Sequence, residues 1–84
     1  MTFYVYVCKV DGVLKYIGKG KGDRWKHCLS GQSHNRKLNE AVILGKDVQV
    51  ELLKDGMSEG EAISLESSLI TVLKPPYNVV KPLS

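Results

Sequence analysis

Residues 3–18 read FYVYVCKVDGVLKYIG, and the pairing of their two halves decides the fold. Residues 3–10 are almost all aromatic or β-branched, the composition of a strand. Asp11-Gly12 is a hairpin turn signal, and 13–18 form the return strand. Register is the open question, because a one-residue slip sends every side chain to the opposite face. A two-residue Asp11-Gly12 loop pairs Val10 with Val13 and puts Tyr6 and Tyr16 on opposite faces. A three-residue loop, with Gly12 left-handed and a bulge beside it, sets Cys8 opposite Tyr16 and makes Tyr6 its diagonal neighbour. The second register is the expected one.

Beyond the hairpin, Gly18 to Gly22 reads as a loop. A short helix is expected over 23–29, ended by Ser30-Gly31. Ser33 is the expected cap of a second helix over 34–44, with Leu38, Ala41, Val42 and Leu44 facing inward and Gly45 past its end. VQVELL (48–53) alternates as a third strand, and Asp55-Gly56 turns the chain. Ser58 and Glu61 then form a capping box for a last helix that runs to Leu73 before Pro75-Pro76. The order ββααβα gives an α+β domain, a small three-stranded antiparallel sheet flanked by helices.

The 84 residues suit one domain spanning 1–84, and a hydrophobic content of 43% suits one small core. Net charge is +3, but position says more than sum. Lys15, Lys19, Lys21, Arg24, Lys26, Arg36 and Lys37 share one stretch with Asp23 as the only opposing charge. A nucleic-acid surface would have that distribution, and so would an ordinary solvated face. Cys8 and Cys28 have no paired spacing and read as reduced thiols of a cytoplasmic protein. Their spacing to His27 and His34 matches no usual zinc pattern. His34 is expected to cap or contact backbone. No apolar run is long enough to span a membrane.

Along the last helix the apolar positions 62/65/69/72 and 63/66/70/73 make two adjoining stripes. Glu66 lies within the second. A carboxylate there costs several kcal/mol unless it meets a cation, a metal or hydrogen bonds. It is either a stripe-edge residue paired with a lysine or a catalytic or metal-binding carboxylate.

These pieces, in this order, resemble the GIY-YIG nuclease domain family over residues 3–80. Tyr4-Val5-Tyr6 stands at the GIY position, Tyr16-Ile17-Gly18 is YIG as written, Arg24 opens the next helix, Glu66 lies on a late helix, and PPYN ends at Asn78. The resemblance implies that Tyr6 and Tyr16 provide, or relay to, the general base, and that Arg24 binds the scissile phosphate. It also implies that Glu66 holds one Mg²⁺ (or Mn²⁺) and that Asn78 braces the site. Relatives often place His or Tyr four residues after the arginine. Position 28 here is Cys, so His27 is the nearest catalytic candidate.

The expected function is a Mg²⁺-dependent DNA endonuclease leaving 5′-phosphate and 3′-hydroxyl ends. Lys15, Lys19, Lys21, Lys26, Arg36, Lys37 and Asn78 are the expected DNA contacts. With no separate DNA-binding domain in view, specificity is expected to be low, or to come from DNA structure, a homodimer or a partner protein. A stand-alone phage or bacterial enzyme fits that size. The alternatives are a non-catalytic nucleic-acid-binding module or a protein-interaction module on the same fold.

Overall fold

A computed structural model describes residues 2–31 and 35–78. Strand β1 (Phe3–Val10) lies at the centre of a three-stranded antiparallel sheet, between β2 (Val13–Gly20) and β3 (Val48–Met57). A 3-10 turn at Arg24–Lys26 leads into α1 (His27–Ser30), followed by α2 (Arg36–Ile43) and, after β3, by α3 (Glu59–Leu73). This is the expected ββααβα, α+β architecture.

The sheet has a small apolar layer on each face, because β1 is buried on both sides. Tyr4, Tyr6, Cys8 and Val10 pack with Cys28, Leu38 and Ala41 beneath α1 and α2. Val5, Val7 and Ile17 pack with Met57 and Ala62 beneath α3.

The hairpin reaches the expected pairing by another route. Its loop has two residues: Val10 faces Val13, and Asp11 and Gly12 both have positive φ (52° and 80°), as a type I′ turn requires. Asp11 tolerates that backbone because its carboxylate accepts the Asp47 N–H at 3.1 Å while its own N–H donates to the Asp47 carbonyl at 2.8 Å. The bulge lies further along, at Lys15: Lys9 faces Leu14, and Cys8 then faces Tyr16. One extra residue reverses the face of everything after it. Leu14 therefore packs on the α3 side, whereas Tyr16, two residues on, packs with Tyr6.

Several boundaries differ from expectation. β2 continues through Gly20, which pairs with Tyr4, so the loop begins later than Gly18. β3 runs on to Met57 through irregular pairing, and Gly56, with φ of 72°, turns within it. Asn35 caps α2, its side chain accepting the Leu38 N–H at 3.1 Å; Ser33 and His34 lie outside the described residues. Leu44 is exposed, because α2 ends before it. The capping box of α3 forms as read, with Glu61 N–H on Ser58 Oγ and Ser58 N–H on the Glu61 carboxylate. Only the stripe through Ala62, Leu65, Leu69 and Ile70 packs on the sheet, while Ile63, Val72 and Leu73 are exposed. One helix on one sheet covers a single stripe, narrower than the two the apolar residues span.

The segment after α3 returns to the outer edge of β2. Tyr77 N–H donates to the carbonyl of the bulged Lys15 at 2.8 Å. Asn78 pairs with both backbone groups of Ile17, accepting its N–H at 2.9 Å and donating to its carbonyl at 2.8 Å. These contacts satisfy edge groups that would otherwise be left open. Asn78→Ala should therefore cost about 1–3 kcal/mol in urea unfolding; unchanged stability would show that Asn78 does not secure this edge.

Candidate active site

The bulge at Lys15 gathers the aromatic part of the site. Tyr6 and Tyr16 have ring centroids 6.3 Å apart, and Tyr4 stands edge-on to Tyr6 at 5.9 Å. Gly18 and Gly20 pair directly with Tyr6 and Tyr4, whose rings lie over them. A Cβ at Gly18 would come within 2.6 Å of the Tyr6 ring and hydroxyl, and one at Gly20 within 3.2 Å of the Arg24 side chain. Close packing is thus the reason for these two glycines. Gly20, within the stretch expected as a loop, is instead a strand residue; the turn falls at Gly22, with φ of 61°.

Tyr4, at the glycine position of GIY, has a part that sequence reasoning missed. Its hydroxyl accepts the Trp25 N–H at 3.1 Å and donates to the Lys21 carbonyl at 3.4 Å. It thereby secures the loop that delivers Arg24. The period-two spacing of Tyr4 and Tyr6 was the available signal. Arg24 is exposed, crosses Gly20, and makes no ion pair among the described residues, so its guanidinium is free for an anion.

Glu66 approaches from the opposite layer. It is half-buried on α3, near the backbone of Lys19 on β2. Burial raises its pKa, against the opposing pull of Lys19. β2 is an edge strand, so a residue on α3 can reach around it toward the tyrosine side. Charges from both layers act on Tyr16, Glu66 raising its pKa and Arg24 lowering it.

Both site tyrosines hold their protons more tightly than free tyrosine. Burial raises Tyr6 and Tyr16 alike, Glu66 adds to the rise at Tyr16, and Arg24 partly offsets it there. The basic residues around the hairpin and the turn after it include Lys15, Lys19, Lys21 and Arg24. Of them, Arg24 alone lowers the Tyr16 pKa, and burial outweighs it.

The remaining predicted residues divide. His27 is exposed and lines an open cleft with Lys21, Asp23, Arg24, Lys26 and Ser30. The residue that turns inward to the tyrosines is its neighbour Cys28. Lys15 and Lys37 flank the Tyr77 ring at 5.7 and 5.9 Å, and Lys19 and Lys21 flank Phe3 at 5.7 and 5.6 Å. Lys26 and Arg36 lie within ion-pair distance of Asp23 and Glu40. The side chain of Asn78 is engaged with Ile17 backbone.

For a metal, no three His, Cys, Asp or Glu side chains converge among the described residues. Mg²⁺ asks less: it keeps several waters and takes one or two carboxylates together with substrate phosphate. A single half-buried carboxylate fits that mode, and Glu66 is the residue that would hold the ion.

Searches of known proteins return one kind of relative. The chain is 31% identical over 72 residues to UvrABC system protein C of Maricaulis maris. It is 31% identical over 70 residues to that of Alcanivorax borkumensis and 32% over 71 residues to that of Anaplasma marginale. The chain resembles one segment of UvrABC system protein C. Each alignment covers 83% of this chain but 11% of the relative, so the chain spans about a tenth of the length of the proteins it matches. No family model and no solved structure matches it.

Two variants test this geometry. Gly18→Ala should cost about 1–3 kcal/mol, since the added methyl displaces Tyr6; an unchanged urea midpoint would contradict the close approach. For Glu66, the raised pKa means that the folded protein binds the proton more tightly than the unfolded chain. Its burial penalty is therefore absent at acid pH and complete once pH exceeds the folded value. Glu66→Gln should melt at or above the wild-type temperature at neutral pH, the gap closing toward about pH 4. A variant less stable than wild type at neutral pH would contradict this.

Proposed function

We propose that this chain is a GIY-YIG-type nuclease domain that hydrolyses DNA phosphodiester bonds with Mg²⁺ or Mn²⁺, leaving 5′-phosphate and 3′-hydroxyl ends. One observation carries the reading: the bulge at Lys15 sets Tyr16 beside Tyr6, with ring centroids 6.3 Å apart, and the Arg24 side chain lies over Gly20 at the end of the same strand. The similarity to UvrABC system protein C over most of the chain supports the same class of activity. The helices among the described residues are too short or too polar to cross a membrane, which accords with a cytoplasmic enzyme.

The chemistry follows from the charge each side chain meets. A phosphodiester under attack gathers negative charge on its non-bridging oxygens, and the unpaired Arg24 fork matches that geometry in two parallel bonds. Tyr16 is neutral and hydrogen-bonding at working pH. Its hydroxyl oxygen accepts a proton from the attacking water while its own proton goes to a non-bridging phosphate oxygen, so no phenolate has to form first. Tyr6 supports it from the adjacent strand. Glu66 would hold the divalent ion, which when bound neutralises charge on the leaving 3′-oxygen. Lys15, Lys19, Lys21 and Lys37, standing on aromatic rings, are placed to track the phosphate backbone. Such contacts set position without reading sequence, so specificity is low unless a homodimer or partner protein adds it.

Supercoiled plasmid incubated with the protein and Mg²⁺ should be nicked, with ends that ligase reseals. Arg24→Ala and Glu66→Ala should each lose on the order of 100-fold or more in rate. Salt-dependent binding with the plasmid left intact would point instead to a non-catalytic module.

A further inference from the structure

We propose that Tyr4 is a positioning residue for Arg24, its hydroxyl fixing the start of the turn from which the arginine projects. Only the role of Arg24 rests on the nuclease reading; the contacts of Tyr4 do not. The first N–H groups of any helical turn lack a partner within it. Asp23 is placed to cap the turn at Arg24–Lys26, but its side chain makes no cap hydrogen bond and lies 3.7 Å from the Lys26 ammonium instead. The Tyr4 hydroxyl, reaching over from β1, takes that place. It accepts the Trp25 N–H at 3.1 Å and donates to the Lys21 carbonyl at 3.4 Å, so its bonds fall on either side of Arg24 in the chain. The same Lys21 carbonyl receives the Arg24 N–H at 3.4 Å.

A buried tyrosine hydroxyl normally finds some partner. What distinguishes this one is that both of its partners belong to the loop that carries Arg24. Among the described residues no other hydrogen bond joins the backbone of 21–26 to the sheet. Gly22, in the left-handed region with φ of 61°, gives that loop its turn but no anchor.

The side chains continue the arrangement. Tyr4 is buried and pairs directly with Gly20 across the two strands. A Cβ at Gly20 would lie 3.2 Å from Arg24 Cβ, 3.3 Å from Arg24 Cδ and 3.4 Å from Tyr4 Cε1. The arginine stem and the tyrosine ring thus border one bare stretch of backbone. Arg24 is held at its main chain through the hydroxyl and along its stem by the strand, while its guanidinium makes no ion pair among the described residues. A guanidinium aimed in this way meets phosphate without first having to be ordered.

Tyr4→Phe removes the hydroxyl and keeps the ring. It should lower kcat on plasmid DNA on the order of 10- to 100-fold with little change in KM. Because Tyr4 acts through Arg24, the same substitution in an Arg24→Ala background should lower the rate no further. An equal loss in both backgrounds would mark a general packing defect and overturn the proposal, as would no loss in either.

Amide hydrogen exchange tests the contact without substrate. In Tyr4→Phe the Trp25 amide should exchange on the order of 10-fold faster, while the paired amides of β1 and β2 keep their rates. An unchanged Trp25 rate, or a rise shared by both strands, overturns the proposal. A wild type that leaves DNA intact would sink the nuclease reading, and the exchange measurement would still decide whether Tyr4 fixes the turn of Arg24.

Discussion

Lys15 is one residue more than the β1–β2 ladder can pair, and the site depends on where that residue goes. The Asp11-Gly12 turn alone would carry Tyr16 to the α3 face. By leaving Lys15 unpaired, the strand brings Tyr16 across from Cys8 and next to Tyr6, with Gly18 and Gly20 beneath the tyrosine rings. The exposed carbonyl of Lys15 is taken by Tyr77, and Asn78 fastens the next pair of edge groups. A bulge re-aims a strand at the expense of open backbone groups, and here the segment after α3 closes them.

That edge also joins the two layers of the molecule. In a sheet of three strands, residues on opposite faces are close only at the rim. Glu66 comes near the rim at Lys19, Arg24 reaches it across Gly20, and both charges act on Tyr16. The same burial that assembles the tyrosines keeps them protonated. Arg24 is the one neighbour that eases Tyr16 toward ionisation.

Much of this was legible in the sequence, and the failures have physical causes. The capping box at Ser58 and Glu61, the Asp11-Gly12 turn and the strand character of 3–10 are local signals, and all three hold. The facing of Tyr6 and Tyr16 was legible too, but not its origin, because turn and bulge contribute one residue each in ways that only pairing separates. Leu14 and Ile17 on one face with Tyr16 on the other was the pattern to notice. Gly20 misled because a glycine under an aromatic ring and a glycine in a loop are written alike. Ile63, Val72 and Leu73 misled because an apolar stripe records what a helix can bury, not the width of the sheet beneath it. His27 drew attention through its chemistry, whereas the side chain that turns inward is Cys28.

The central proposal is that Tyr16, Arg24 and Glu66 serve one site at the outer edge of β2. Mn²⁺ added to ¹⁵N-labelled protein tests it most directly, because a bound paramagnetic ion broadens nearby amide signals. Broadening should centre on Glu66 and Lys19, extend to Tyr16 and Arg24, and vanish in Glu66→Gln. Broadening confined to the acidic first turn of α3, or unchanged in the variant, would contradict the account.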